Sequence, residues 1–113
     1  GYAKTSIRAS VANYFTDNNA FIFAVTNRMK FPLSGAEENY ELYLNNSYGP
    51  TFGAGHDITV NSTMSGGYCN FPYTYAYNGT FRAPSNTATQ LLSGTNTSQA
   101  FVVNDVEVWI QGY

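Results

Sequence analysis

Residues capable of acid–base or nucleophilic chemistry are scarce in this chain, which has one histidine, His56, and one cysteine, Cys69. A Ser-His-Asp or Cys-His set would need the imidazole of His56 to face Cys69 or a serine, with a third group orienting the ring. Asp57 follows His56 directly, but nothing in the spacing places a nucleophile beside the pair. The sequence therefore favours a non-enzymatic protein, in which His56 and Asp57 hydrogen-bond to backbone groups of the glycine-containing turn that precedes them and fix it.

Calcium is the one cofactor for which oxygen ligands cluster along the sequence, because hard cations prefer several oxygens together. Zinc lacks every usual ligand spacing. Each calcium candidate departs from the spacing of known loop motifs and is explained more simply as a turn or a solvated face, so we expect no cofactor. The candidate sets are Asp57 with Asn61, Glu37-Glu38-Glu41, and Asp17 with Asn18 and Asn19.

Tyrosines provide the candidate ligand-binding surface. Tyr73, Tyr75 and Tyr77 would share one face of a strand over residues 71–77. Three rings in line form either half of a core or an exposed stacking platform. Exposed rings near Asp57 and Asn61 would suit a sugar, whose apolar face stacks while its hydroxyls form hydrogen bonds. Such a row also suits contact with a partner protein, because tyrosine is enriched at interfaces.

The most distinctive stretch is residues 48–60, Tyr-Gly-Pro-Thr-Phe-Gly-Ala-Gly-His-Asp-Ile-Thr-Val. Gly49-Pro50 predicts a turn. Gly53 and Gly55 predict a positive φ or a close approach of another chain segment. Residues 58–60 are β-branched and predict the start of a strand, so that the His-Asp pair lies at a turn-to-strand junction.

This stretch resembles the signature of the TLDc domain, a Tyr-Gly-Pro-Thr-Phe-Gly-Gly-Gly-His-Asp-like string before a strand, with Ala54 at the middle glycine. The resemblance continues in family order over most of the chain. It implies a two-sheet sandwich and a single TLDc-like domain over residues 1–113 that lacks the family's opening strands. The other similar segments are residues 1–6, 19–27, 30–33, 68–75, 91–94 and 101–109.

Hydrophobic alternation and frequent turns independently predict an all-β or β-rich α+β fold, an antiparallel two-sheet β-sandwich with little helix. Glu107 interrupts an apolar final strand. It is either the exposed polar half of an alternation or, on a covered face, a partner of His56 or Arg82. Two of the predicted strands have a stated burial: residues 21–25 are buried on both faces, and residues 40–44 place Tyr40, Leu42 and Leu44 on one face. The other predicted strands are residues 71–77 and 102–110. Helical character is confined to residues 34–40.

Composition narrows the classes of partner. The 113 residues make one domain, with 11% charged residues and a net charge of −2. So few basic residues cannot build a phosphate-tracking surface, which argues against nucleic acid. The longest apolar runs fall short of the roughly 18 to 20 residues that span a bilayer. A lone cysteine, Cys69, excludes an internal disulfide.

Asn-x-Ser/Thr sequons favour a secreted, glycosylated protein. Some triplets of this kind arise by chance in a chain rich in asparagine, serine and threonine. Sparse charge and abundant Asn, Thr, Ser and Tyr nevertheless resemble a secreted surface more than a cytosolic one. The sequons begin at Asn45, Asn61, Asn78 and Asn96.

Three functions follow from these observations. The first is an extracellular binding or adhesion module for a glycan or a partner protein. The second is a structural subunit that assembles through open sheet edges with another copy or a second chain, for which residues 1–15 are the best candidate to reach across. The third, implied by the resemblance alone, is an intracellular TLDc-type protein that protects against oxidative damage and interacts with the vacuolar proton pump.

Overall fold

The computed structural model of the protein describes residues 1–3, 12–36, 39–94 and 100–107. Within these ranges the elements in chain order are β1 Asn13–Phe15, β2 Ile22–Ala24, β3 Met29–Phe31, β4 Leu42–Leu44, β5 Tyr48–Phe52, β6 Ile58–Asn61, β7 Gly66–Tyr68, α1 Asn86–Ser93 and β8 Ala100–Val102. Six strands form an antiparallel sheet in the order β1-β4-β5-β6-β7-β8, and β2 pairs with β3 in a second sheet. This strand-rich, two-sheet arrangement with one short helix confirms the predicted fold class.

The hydrophobic core joins both sheets to the helix. Its buried side chains come from β2, β3, β4, β5 and α1 and from the irregular segment after β7. The rings of Phe31 and Phe71 meet at its centre, with centroids 4.7 Å apart. Ile22 and Ala24 are buried, but Phe23 between them is exposed. The prediction that residues 21–25 are buried on both faces is therefore wrong, because the β2–β3 hairpin is covered on one face only.

Strand β4 keeps the predicted alternation for three residues only. Leu42 and Leu44 are buried while Tyr43 points to the other face. Before the strand the pattern reverses, since Glu41 is only 2% exposed and Tyr40 is exposed. The carboxylate of Glu41 accepts the backbone N–H groups of neighbouring loops, which draws it inward. The expectation that Tyr40 shares the buried face of Leu42 is wrong for this reason.

Helix α1 has local signals at both ends. The Ser85 hydroxyl accepts the Ala88 N–H at 3.1 Å as the N-cap, and Gly94 ends the helix in the left-handed region at φ 72°. By contrast, the helical character predicted for residues 34–40 is not observed in the described part of that segment. There the Ser34 hydroxyl accepts the Ala36 N–H in a turn, at 3.2 Å.

Strand β8 is shorter than predicted. It covers Ala100–Val102, and residues 103–107 form no strand. Several predictions fall on residues outside the described ranges, namely the N-terminal residues 4–11, Glu37 and Glu38, the sequon at Asn96, and the end of the predicted last strand at 108–110. Among the described residues, no helix combines the length and apolar character needed to cross a bilayer.

Candidate functional site

The glycine-rich loop between β5 and β6 organises the site. Gly49 and Pro50 lie inside β5, so the predicted turn at this pair is wrong. A Cβ at Gly49 would lie 2.9 Å from the carbonyl oxygens of Val60 and Asn61. The glycine thus lets β6 approach β5 where the register shifts between Tyr48 and Thr51. The turn begins instead at Gly53.

Close contacts explain why the loop contains Gly53 and Gly55. Gly53 has a φ of 92°, and a Cβ there would overlap the carboxylate of Asp57. Gly55 has no such φ, but its Cβ would overlap the ring of Tyr73. His56 closes the loop at φ 55°, in the left-handed region, with its N–H bonded to the Gly53 carbonyl oxygen at 3.1 Å. The loop is therefore held against the segment that begins at Tyr73.

Asp57 makes the hydrogen bonds that join the glycine-rich loop to the segment beginning at Tyr73. Its carboxylate is fully buried and accepts three backbone N–H groups, from Tyr73 at 2.7 Å, Thr74 at 2.9 Å and Tyr75 at 3.1 Å. Burial raises the pKa of Asp57 to about 6, although the three N–H donors oppose the rise. The prediction that Asp57 binds a ligand is wrong on this geometry, because both of its oxygens are enclosed and occupied.

Asn61 lies apart from Asp57. Its side chain is exposed, and its Oδ1 accepts the Ser65 N–H and the Thr63 hydroxyl, each at 3.0 Å. The two residues proposed to share a sugar or a calcium ion are thus engaged with different segments.

The tyrosines of residues 71–77 do not form an exposed row. Tyr75 is fully buried and donates its hydroxyl to the Glu41 carbonyl oxygen at 2.8 Å. Tyr77 packs on the core rings of Phe31 and Phe71, and Tyr73 is half-buried. No strand forms here, because the N–H groups of residues 73–75 bond to Asp57 instead of to a neighbouring strand. The exposed-platform prediction is wrong for Tyr75, and the core alternative accounts for Tyr75 and Tyr77.

His56 lies among a different set of tyrosines. Its ring stacks on Tyr43, with centroids 5.1 Å apart and planes at 26°, and Tyr48 contacts it edge-on at 5.4 Å. The His56 Nδ1 hydrogen-bonds to the hydroxyl of Tyr68. Burial lowers the pKa of His56 and raises that of Tyr68. The imidazole is therefore packed between rings, and its burial disfavours the protonated form.

Tyr14 extends the group across the sheet. It lies opposite Tyr43 in the β1–β4 register, with ring centroids 4.8 Å apart, and contacts Tyr40 at 5.1 Å. Its hydroxyl donates to the Ala54 carbonyl oxygen at 3.1 Å. Tyr40 is 44% exposed and Tyr48 is 36% exposed. We refer to this set as the tyrosine–histidine cluster: Tyr14, Tyr40, Tyr43, Tyr48, His56 and Tyr68.

Sequence patterns missed this cluster because its tyrosines come from four different strands and the loop before β4, and meet only through sheet register. The one local signal was the outward position of Tyr43 in the alternation of β4. The ligand surface was predicted at residues 71–77 instead, because three tyrosines lie close together in that part of the sequence.

Cys69 is not poised as a nucleophile. Its thiol is buried and donates to the Asp57 carbonyl oxygen at 2.9 Å. Burial raises the pKa of Cys69 to about 12, so the thiolate is negligible at neutral pH. In the part of the chain that the structure describes, no group of three or more His, Cys, Asp or Glu side chains could hold a metal ion. Asp17, with Asn18 and Asn19, forms a turn in which the Asp17 Oδ1 accepts the Asn19 N–H at 3.0 Å.

The remaining predicted residues are placed as follows. Glu107 is exposed, as in the polar half of an alternation. Asn61 and Asn78 are exposed sequon positions, and Asn78 has a φ of 50° in a tight turn. Asn45 is half-buried, and its Nδ2 donates to the Tyr43 hydroxyl at 2.9 Å.

Comparison with protein families identifies the class. The model of the TLDc domain matches residues 1–112. The chain therefore belongs to the TLDc domain family. Comparison with curated proteins found no match, and comparison with solved structures found none either.

Proposed function

We propose that this TLDc domain is a non-enzymatic, extracellular binding module whose ligand surface is the tyrosine–histidine cluster. The observation that carries the proposal is the gathering of six rings on one side of the large sheet, with Tyr40 and Tyr48 substantially exposed at its margins. Tyrosine offers a large, rigid contact area with a polar end, which is why it is enriched where proteins bind ligands and partners.

A glycan is the first candidate ligand. Sugars bind where ring faces and edges lie beside amide groups that can accept and donate hydrogen bonds. The Asn45 amide lies against the Tyr43 hydroxyl at the cluster, which supplies this combination. A partner protein is the second candidate, because the same rings would form the centre of a small interface.

The chemistry of the nearby groups supports a binding role over catalysis. The Asp57 carboxylate is occupied by three N–H groups, the Cys69 thiol is buried, and the His56 Nδ1 is bonded to Tyr68. A general base needs a free acceptor within reach of a substrate proton. The Asp57 carboxylate and the Cys69 thiol present none in the described structure, and the His56 ring is packed against Tyr43 and Tyr48.

Assembly through a sheet edge is a second candidate function. Strand β8 ends the six-stranded order, and its Val102 is 83% exposed. An apolar side chain on an edge strand favours pairing with another strand. Light scattering on the wild type and on Val102→Lys tests this function: association that disappears in the variant supports it, and a monomeric wild type at high concentration contradicts it.

The family's intracellular role, protection against oxidative damage with contact to the vacuolar proton pump, is the third candidate. Mass spectrometry of the native protein separates it from an extracellular role. Glycans on the exposed Asn61 or Asn78 would support secretion. Unmodified asparagines in a cytosolic fraction would favour the intracellular role.

A glycan array combined with native mass determination tests the proposed binding function. We expect selective retention on a small set of glycans, or a defined complex with one partner protein. A chain that binds no glycan on the array and captures no partner in its native mass would contradict the proposal.

A further inference from the structure

A polar cleft lies on a different set of residues from the tyrosine–histidine cluster. It encloses about 300 Å³ and is lined by Thr16, Asn18, Leu33, Asn39, Glu41 and Thr74. A second hollow of about 390 Å³ shares Asn18 and Leu33 with it and extends toward Phe21 and Lys30. Together the two hollows have the size of a site for a small molecule or a single extended side chain.

The cleft contains a buried carboxylate, Glu41, whose hydrogen bonds are fewer and longer than those of Asp57. Both carboxylates are buried. Asp57 accepts three N–H groups at 2.7 to 3.1 Å. Glu41 accepts two, from Asp17 and Asn39, each at 3.3 Å, beyond the usual range of about 2.7–3.2 Å for such bonds. Because a carboxylate offers about four acceptor positions, Glu41 retains unused capacity.

Among the described residues, the carboxylate of Glu41 is recorded with backbone N–H partners and with no ion pair to a lysine or arginine. Lys30, at the far end of the second hollow, places its ammonium 3.9 Å from the centroid of the Phe21 ring. A buried carboxylate without a positive partner carries an uncompensated desolvation cost. A bound cation would remove that cost.

The other lining groups favour an ammonium over a metal ion. The Thr16 hydroxyl donates to the Asn39 Oδ1 at 2.7 Å, which leaves the lone pairs of the hydroxyl to accept. An ammonium has three N–H donors and needs about three oxygens, not all of them charged. Calcium needs six to eight oxygens, several from carboxylates. Leu33 adds an apolar wall along which an alkyl stem can lie.

We propose that this cleft binds a primary ammonium group, with Glu41 as its counter-charge and Leu33 against its alkyl chain. The ammonium belongs either to a small amine or to a lysine side chain of a partner protein. The site goes beyond the proposed binding function, and neither proposal depends on the other.

Titration with n-propylamine, a cation at pH 7, tests the proposal by amide chemical shifts, with n-propanol as the neutral analogue. We expect saturable shifts at residues lining the cleft for the amine and none for the alcohol at equal concentration. Glu41→Gln should weaken amine binding at least tenfold. Equal responses to amine and alcohol, or full amine affinity in folded Glu41→Gln, would overturn the proposal.

Asn18→Lys keeps Glu41 and tests the site independently, because the new ammonium competes at the mouth of the cleft. It should also weaken amine binding at least tenfold. Asn46→Lys, at another exposed turn asparagine, makes the same charge change away from the cleft and should bind as the wild type does. If Glu41→Gln fails to fold, this pair decides: equal amine binding in both lysine variants would overturn the proposal.

Two peptides distinguish the sources of the ammonium. Acetyl-Gly-Lys-Gly-amide is compared with the same peptide carrying acetyl-lysine. Binding of the first peptide at least tenfold tighter than propylamine, with no binding of the second, supports a partner's lysine. Propylamine binding without peptide binding supports a small amine. Absence of binding by both cations overturns the proposal.

Discussion

Asp57 accepts N–H groups from residues that follow it by 16 to 18 positions. One carboxylate therefore takes up the N–H groups of the segment 73–75, whose backbone pairing with residues 32–34 is limited to an isolated bridge. The sequence predicted that Asp57 hydrogen-bonds to the glycine turn that precedes it, and this is wrong, because the carboxylate bonds to residues 73–75 instead. A hydrogen bond between segments so far apart leaves no local sequence pattern. Glycine at position 53 was the nearest hint, since its missing side chain leaves room for this carboxylate.

Asp57→Ala should lower the free energy of unfolding by at least about 3 kcal/mol at pH 5. Three buried N–H groups would lose their acceptor, and each unsatisfied group costs about 1–3 kcal/mol. Urea denaturation measures the change. Asp105→Ala, at an exposed aspartate, is the matched control and should change stability by less than about 0.5 kcal/mol. Equal stabilities of the two variants would contradict the role assigned to Asp57.

The raised pKa of Asp57 predicts a pH dependence of stability. Its pKa is about 6 in the folded protein, against 3.8 as the ordinary value. Between these values the folded state binds more protons than the unfolded state, so the free energy of unfolding falls as pH rises from about 4 to 6. The expected fall from this residue over that range is about 2 kcal/mol.

Urea titrations at pH 4, 5, 6 and 7 measure that dependence. The stability difference between the wild type and Asp57→Ala should be largest at pH 4 and should narrow by pH 7. A constant difference would show that the carboxylate titrates at its ordinary pKa.

At the scale of elements, the β5–loop–β6 unit depends on backbone positions closed to side chains. Gly53 and Gly35 form a natural pair for testing this dependence. Both have positive φ, 92° and 80°, but a Cβ at Gly35 meets no atom of the described residues within 4 Å while one at Gly53 overlaps Asp57. Alanine at either position incurs strain from the positive φ. Only Gly53→Ala adds a steric clash.

Gly53→Ala should therefore be destabilised by at least about 2 kcal/mol more than Gly35→Ala. Thermal or urea unfolding of the two variants provides the comparison. Similar losses in both would show that the φ angle alone, without the contact to Asp57, explains glycine at position 53.

Sequence patterns predicted some elements well and misplaced others for physical reasons. Residues 58–60 were predicted as a strand and form most of β6, because their β-branched side chains suit a pleated sheet. Helix α1 was missed although Ser85 and Gly94 cap it, since its eight residues are fewer than the roughly 11 to 18 over which a helical period is read from a sequence. Residues 71–77 were misread as a strand because tyrosine is enriched in strands, although that preference depends on the surroundings of each residue.

For the whole molecule, family and fold class followed from sequence, whereas the location of the ligand surface did not. The TLDc signature and the turn spacing are local features of the sequence, so both can be recognised without knowing the strand order. The tyrosine–histidine cluster depends on the β1–β4 register, which sets Tyr14 opposite Tyr43, and on the loop that presents His56. Only the folded sheet brings these rings together.

The most direct test of the account compares the glycan or partner binding of Tyr48→Ser with that of Phe81→Ser. The two aromatic side chains are similarly exposed, at 36% and 38%, but only Tyr48 contacts the cluster around His56. Loss of an aromatic contact worth about 1.4 kcal/mol or more corresponds to at least tenfold weaker binding. We predict that loss for Tyr48→Ser and unchanged affinity for Phe81→Ser. Equal affinities in two folded variants would contradict the placement of the ligand surface at the tyrosine–histidine cluster.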